Sequence, residues 1–228
     1  DLIELYHIDE NKITVCFQSC DERFYTCATE KHKRMISEKY ELQSPYILSV
    51  GSIIERKNLL NVCKAFNEIQ KELDLLLVIV GKGSGAYKEL VMNYLNQNNL
   101  NHKVKFLEDQ YSSQDIYKDL PTIYQNAKAF VYPSIKEGFG IPILEAMASG
   151  TPVVTSNISS LIEAGGYAAI TINPNNESEI KDALSILCTN EMVREEYISK
   201  GFERAKLFNN ENTCKRVMNV YKELIQAK

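Results

Sequence analysis

The sequence predicts a doubly wound α/β domain, a parallel sheet covered by helices on both faces. Three observations carry this. From residue 45 onward, short apolar runs alternate with longer stretches whose apolar residues recur at helical spacing. The runs are apolar at consecutive positions, as strands buried on both faces must be. Several runs stop at a glycine or a small polar residue, where such sheets turn outward and bind ligands beyond the carboxyl ends of their strands.

The elements follow in order. Residues 1–44 hold one strand, 13–17, then a polar, charge-rich stretch to Lys39. Residues 45–51 form a buried strand ending in Gly51, and 58–71 a helix with Leu59, Leu60, Val62, Cys63, Phe66 and Ile69 on its inner face. A second strand (75–81), a second helix (87–97) and a short third strand (104–107) come next. A third helix (116–126) and a fourth strand (127–132) lead to a loop and a helix at 142–148. Strands at 152–155 and 168–172 complete the sheet, and 177–228 is helical. The last helix, 213–226, carries Val217, Val220, Tyr221, Leu224 and Ile225 on one side, a stripe expected to dock on its own domain.

Composition narrows the function. The 228 residues are 44% hydrophobic and 25% charged, ordinary for a globular chain. Lys and Arg number 26 against 30 Asp and Glu, a net charge of -4, which argues against binding nucleic acid through overall positive charge. The longest strongly apolar run, residues 75–80, is far below the ~20 residues a membrane-spanning helix needs. Of the six cysteines, Cys16, Cys20 and Cys27 are spaced C-x3-C-x6-C, with His7 and His32 at irregular distances. That is a poor zinc pattern, so they read as reduced thiols and no metal is expected. The chain opens on Asp1-Leu2-Ile3-Glu4, without Met or a leader-like segment, and reads as a piece of something longer or as a processed chain.

Three strand-end loops can carry chemistry. In Gly51-Ser52-Ile53-Ile54-Glu55-Arg56-Lys57-Asn58, Arg56 and Lys57 fall at the start of a helix, where two cations can grip a diphosphate or simply sit solvated on the surface. Gly81-Lys82-Gly83-Ser84-Gly85 lacks both the G-x-G-x-x-G spacing of dinucleotide binders and the GK[ST] ending of a P-loop. Its glycines serve equally well for a tight turn. The third loop, residues 133–150, sets Glu137 and Glu145 eight apart around Pro142. Proline is disfavoured after a helical residue and welcome in a first turn, so the helix should begin near Pro142, with Glu145 in its first turn and Glu137 in the loop before it. Two carboxylates so placed can bracket a polyhydroxylated ligand, while the Gly138, Phe139, Gly140 and Ile141 backbone is available to donate.

Here a family resemblance enters. Glu137-Gly138-Phe139-Gly140-x-x-x-Leu144-Glu145-Ala146-Met147-Ala148-x-Gly150-x-Pro152-Val153-Val154 resembles the E-x7-E signature of retaining GT-B glycosyltransferases of family four. Val131-Tyr132-Pro133-Ser134, Val50-Gly51 with Arg56-Lys57-Asn58, and Leu77-Val78-Ile79-Val80-Gly81 extend it in the family's order. The resemblance implies a Rossmann-like domain over residues 11–228, the C-terminal, nucleotide-sugar-binding half of a GT-B fold. Residues 1–10 then correspond to the linker or the end of an N-terminal, acceptor-binding domain.

Position by position, the resemblance implies that Arg56 and Lys57 neutralise the donor diphosphate, beside Gly51 and Ser52. Glu145 would hold the nucleotide ribose and Glu137 the transferred sugar, with the Gly138, Phe139, Gly140 and Ile141 backbone alongside and the base near Leu107. Two positions depart from the family pattern. Ser52 stands where many relatives have Arg, which leans phosphate binding harder on Arg56 and Lys57, and Gln18-Ser19-Cys20-Asp21 replaces an Asn-Gly-Val-Asp loop.

The implied reaction moves a hexose, with retention, from a nucleotide diphosphate sugar to a saccharide or lipid-linked acceptor held by the other domain. It uses no cofactor or metal, and no D-x-D occurs in the chain. The implied setting is cytoplasmic, at the membrane's cytoplasmic face where the other half associates peripherally, and the isolated domain is expected to be inactive. The rival readings are a nucleotide-sugar-binding module serving a separate catalytic partner and a nicotinamide-dependent oxidoreductase. The second needs a G-x-G-x-x-G loop after the first strand, which Gly51-Ser52-Ile53 does not supply.

Overall fold

A computed structural model describes residues 2–158 and 160–226. The ends of the expected domains at Asp1 and residues 227–228 lie outside the described residues. In chain order the regular elements are α1 (Leu2–Tyr6), α2 (Glu30–Lys39), β1 (Tyr46–Val50), α3 (Leu59–Ile69), β2 (Leu76–Val80) and α4 (Ala86–Gln97). β3 (Val104–Phe106), α5 (Ser113–Asn126), β4 (Ala129–Tyr132), α6 (Ile141–Ala148) and β5 (Val153–Ser156) follow. The chain ends with α7 (Leu161–Gly165), β6 (Ala169–Ile172), α8 (Glu177–Thr189), α9 (Glu191–Lys206) and α10 (Asn210–Gln226).

The six strands form one sheet in the order β3-β2-β1-β4-β5-β6, and every pair is parallel. This is the doubly wound α/β fold expected from the sequence. The consecutive apolar residues are divided between two cores. Leu48, Val78, Phe130 and Val153 face one side, with Ile36 of α2, Ile116, Leu120 and Ile123 of α5, and Leu144 of α6. Ile47, Leu77, Ile79, Val131 and Val154 face the other, with α3, α4 and α8. A strand residue is thus buried whichever way it points, which is why alternation is absent from the sequence.

The order 3-2-1-4-5-6 reverses direction between β1 and β4, so the loops after those two strands diverge to opposite faces of the sheet and leave a crevice. Both loops are held against each other. Asn58 adopts a left-handed backbone (φ 61°) between the turn Glu55–Lys57 and α3. Its side chain donates not to the helix but to the carbonyls of Pro133 (3.2 Å) and Pro174 (2.6 Å). The amide of Ile135 donates to the Arg56 carbonyl at 2.8 Å. These hydrogen bonds tie the β1 and β4 loops to each other.

Three expectations are corrected. Residues 13–17 form no strand. They run as coil with Val15 61% exposed, and Phe17 leaves that line to stack on Phe139 at 5.5 Å. The hydrophobic spelling there serves one aromatic contact and not a sheet. The helix after the third loop starts at Ile141, one residue before Pro142, which moves Glu145 out of the first turn. The stripe of α10 does not dock: none of its residues is buried, and Tyr221, Leu224 and Ile225 are 57%, 61% and 73% exposed.

Candidate functional site

The site is built at the carboxyl ends of β1, β2, β3 and β4. After β1, Gly51 leaves the sheet and the chain makes the short turn Glu55–Lys57. After β4, Pro133 and Ser134 carry the chain into the glycine-flanked loop that holds Glu137. Because Asn58 ties the two loops together, the two cations and this carboxylate meet. Glu137 Oε1 lies 2.8 Å from the Arg56 guanidinium and 2.5 Å from Lys57 Nζ. Lys57 Nζ also donates to the Tyr132 hydroxyl and lies 4.5 Å from the centre of that ring. Arg56 donates to the Lys136 carbonyl at 3.1 Å.

The members of this cluster differ in exposure. Arg56 is 49% exposed, but the side chains of Lys57 and Glu137 are only 14% and 10% exposed. A solvated surface pair would leave both cations open. Burial pushes the Glu137 carboxyl up, yet the Lys57 hydrogen bond and the Lys57 and Arg56 charges outweigh it and hold the group below its ordinary value. Burial likewise pushes the neighbouring Tyr132 phenol up, and the Glu137 charge adds to this.

Glu145 sits in a different environment, on the second turn of α6. The Tyr124 hydroxyl of α5 donates to its Oε2 at 3.1 Å. Burial raises its pKa, and the Tyr124 hydrogen bond and the Arg23 charge only partly offset that. The glycine at the start of α6 is required by geometry: Gly140 has φ 106°, and a Cβ there would lie 2.8 Å from Leu161. Phe139, just before it, is packed between Phe17 and Phe208 (5.5 and 5.6 Å), so its ring is a wedge and only its backbone borders the site.

A cleft of about 640 Å³ opens beside these groups. Gly51 and Ser52 line one wall, Gly81 and Lys82 the next, and Glu108 with the start of α5 the far side. Leu107 itself is buried in the core, and Glu108, in the turn after β3, is the residue at this level that reaches the cleft. The glycine loop after β2 is a close-approach device: a Cβ on Gly81 (φ 156°) would fall 1.9 Å from the Gly51 carbonyl oxygen. The two loops can therefore touch and form a continuous floor, which is a structural role and not a dinucleotide fingerprint. Among the described residues, no three His, Cys, Asp or Glu side chains gather as a metal ligand set. Cys16, Cys20 and Cys27 are free thiols, and burial pushes Cys20 up to about 11.

The structure thus joins Arg56, Lys57 and Glu137 directly. It sets Gly51 and Ser52 on the cleft wall and places Glu145 on the neighbouring helix, with Gly138, Phe139, Gly140 and Ile141 leading into it. Sequence reasoning missed Tyr124, Tyr132, Glu108 and Arg23. Tyr132 reads in the sequence as the end of the fourth strand, and Glu108 directly follows the expected base contact. Nothing local marks Tyr124 or Arg23. Arg23 reaches the site by donating to the Tyr117 carbonyl at 2.6 Å with its guanidinium 3.7 Å from the centre of that ring.

The six-stranded, all-parallel sheet with helices on both faces is a Rossmann-like α/β fold, of the kind found in the C-terminal half of GT-B glycosyltransferases. Residues 31–204 match the family model described as glycosyl transferases group 1, and the chain belongs to that family. It is 30% identical over 226 residues to O-antigen chain mannosyltransferase B of Escherichia coli, covering 98% of this chain and 58% of that protein. A glycosyltransferase from Rickettsia africae superposes with a TM-score of 0.86 at 22% identity, over all of this chain and 61% of that one. Anabaena HepE, solved with UDP and glucose, superposes with a TM-score of 0.77 at 15% identity, over 92% of this chain and 56% of that one. The chain spans little more than half the length of these proteins.

Proposed function

We propose that this chain binds a nucleotide diphosphate sugar and forms the donor side of a retaining, metal-independent hexosyltransferase acting on a saccharide or lipid-linked acceptor. The observation that carries the reading is the Arg56–Lys57–Glu137 cluster, three charged groups converging beside Gly51, which lines the strand-end cleft, with Glu145 eight residues further on. A glycosyl donor presents two features in sequence, a diphosphate and a ring of hydroxyls. The cluster offers matching chemistry, two cations for the first and a carboxylate for the second.

Without donor, Glu137 neutralises the cations. An arriving diphosphate competes for Arg56 and Lys57 and frees the carboxylate to accept from sugar hydroxyls. As the glycosidic bond breaks, negative charge grows on the leaving diphosphate, and the two cations stabilise that charge without a metal. Glu145, held by Tyr124, accepts from the ribose. The retaining outcome and the hexose rest on the family resemblance, and the mannosyltransferase name of the Escherichia coli relative supports the hexose. Acceptor recognition belongs to the second domain that the resemblance implies, which also gives the enzyme its place at the cytoplasmic face of a membrane.

Calorimetric titration with nucleoside diphosphates and with the matching nucleosides tests the reading. Replacing Arg56 and Lys57 together by Ala should weaken a nucleoside diphosphate at least tenfold, since each hydrogen bond to a charged group is worth about 1.5–3 kcal/mol. The nucleoside should change little, and wild-type affinity should fall as salt rises. If the folded double variant binds the diphosphate as wild type does, the pair does not hold phosphate.

A further inference from the structure

The far wall of the cleft has a chemistry that no residue discussed so far explains. β3 ends in a tight turn, Leu107–Asp109, closed by the Gln110 and Tyr111 amides, which donate to the Leu107 carbonyl at 3.1 and 2.9 Å. The turn buries Leu107 and fixes Glu108 on the cleft side, with its side chain only 14% exposed. Ser113, at the start of α5, donates to Glu108 Oε2 at 3.0 Å, and Lys82 Nζ lies 3.7 Å from the same oxygen. One edge of the carboxylate is thus anchored by the protein. Beside Ser52 and Gln114, the remaining walls are apolar: Val50, Val80, Ile116, Tyr117 and Leu120 form surfaces suited to a flat ring.

Resting on the donor reading above, we infer that Glu108 selects the nucleobase, and that the base is guanine. A carboxylate accepts and cannot donate, so it is satisfied by two adjacent N–H groups. The hydrogen-bonding edge of guanine carries N1–H and the 2-amino group side by side, followed by the O6 acceptor. Lys82, a mobile-headed donor beside the carboxylate, is free to turn toward O6. Uracil presents a single N–H between two carbonyl oxygens, which a carboxylate repels, and adenine and cytosine each place an acceptor where guanine has N1–H. A buried acceptor left facing an acceptor is costly, so the wall discriminates as well as binds.

Titrating the 228-residue chain with guanosine, inosine and uridine diphosphates tests this, because inosine lacks only the 2-amino group. Wild type should bind guanosine diphosphate about ten- to hundredfold more tightly than either of the others, the value of a hydrogen bond to a charged group. Glu108→Gln preserves size and leaves the Ser113 contact an acceptor. It should weaken guanosine diphosphate until the variant binds it no more tightly than inosine diphosphate, while keeping the melting temperature and the dependence on Arg56 and Lys57. Uridine diphosphate binding as tightly as guanosine diphosphate, or a Glu108→Gln variant that keeps the guanine preference, overturns the assignment and leaves the donor reading standing. Failure of all three nucleotides to bind overturns both.

Discussion

Glu145 carries a conflict between stability and binding. Burial raises its carboxyl above the ordinary value of 4.5, and the partial relief from Tyr124 and Arg23 does not cancel that. A raised carboxyl pKa means that the folded state holds its proton where the unfolded state has lost it. Stability therefore falls as pH rises through the window from 4.5 upward to the folded value. Glu145→Gln should raise the melting temperature at neutral pH, with the gain shrinking as pH falls toward 4.5 and absent below it. A gain that is independent of pH would remove burial of charge as the cause. Glu137 behaves oppositely, because its lowered pKa stabilises the fold above the carboxylate range and is lost on acidification.

Binding separates the same two residues. Glu145→Ala should weaken bare nucleotide and donor alike by about ten- to hundredfold, whereas Glu137→Ala should weaken only the sugar-bearing ligand. Equal losses for both ligands in both variants would contradict these roles. The two glutamates and the cation pair were legible because a motif in the chain spells them. Tyr124 and Glu108 were not, since each acquires meaning only when α5 is laid against α6 or the β3 turn against the cleft.

At the scale of elements, the two loop glycines separate the work of space from that of backbone freedom. Alanine at Gly81 would place a Cβ 1.9 Å from the Gly51 carbonyl oxygen, a backbone atom that cannot swing aside. Gly81→Ala should thus cost more than about 3 kcal/mol, beyond the range of backbone strain alone. A Cβ at Gly138 would meet nothing within 4 Å, and Gly138→Ala should fold within about 0.5 kcal/mol of wild type. Urea denaturation of both variants checks the pair, and similar losses would mean that contact between the β1 and β2 loops does not hold the floor. Strands and helices were legible to within a few residues because double burial leaves an unbroken apolar spelling. Residues 13–17 misled for the same reason: Val15 and Phe17 look like strand, but no neighbouring edge pairs with them. Periodicity reports that a side chain is apolar and not what it will touch.

Across the whole molecule, the charged cluster opens from one side only. Arg56, Lys57 and Glu137 all belong to strand-end loops of a single sheet, and Arg56 remains 49% exposed at the rim. Nothing on these loops offers a second surface to orient an acceptor hydroxyl against the sugar carbon. Orientation of that kind supplies roughly 7–11 kcal/mol of a barrier, and closure that excludes water adds to it. The chain also spans 58% of its Escherichia coli relative, and the exposed stripe of α10 finds no cover within the described residues. We therefore expect residues 1–228 to bind nucleotide diphosphate sugar, to hydrolyse it at most in traces and to transfer none of it to added saccharides. Supplying an acceptor-binding domain from a relative in a single chain should bring transfer, with the anomeric configuration of the donor retained in the product. Mass spectrometry and proton NMR of the products measure both outcomes. Sustained transfer by the 228 residues alone would show that the acceptor is positioned by this sheet after all, and inversion in the fused enzyme would rule out retention.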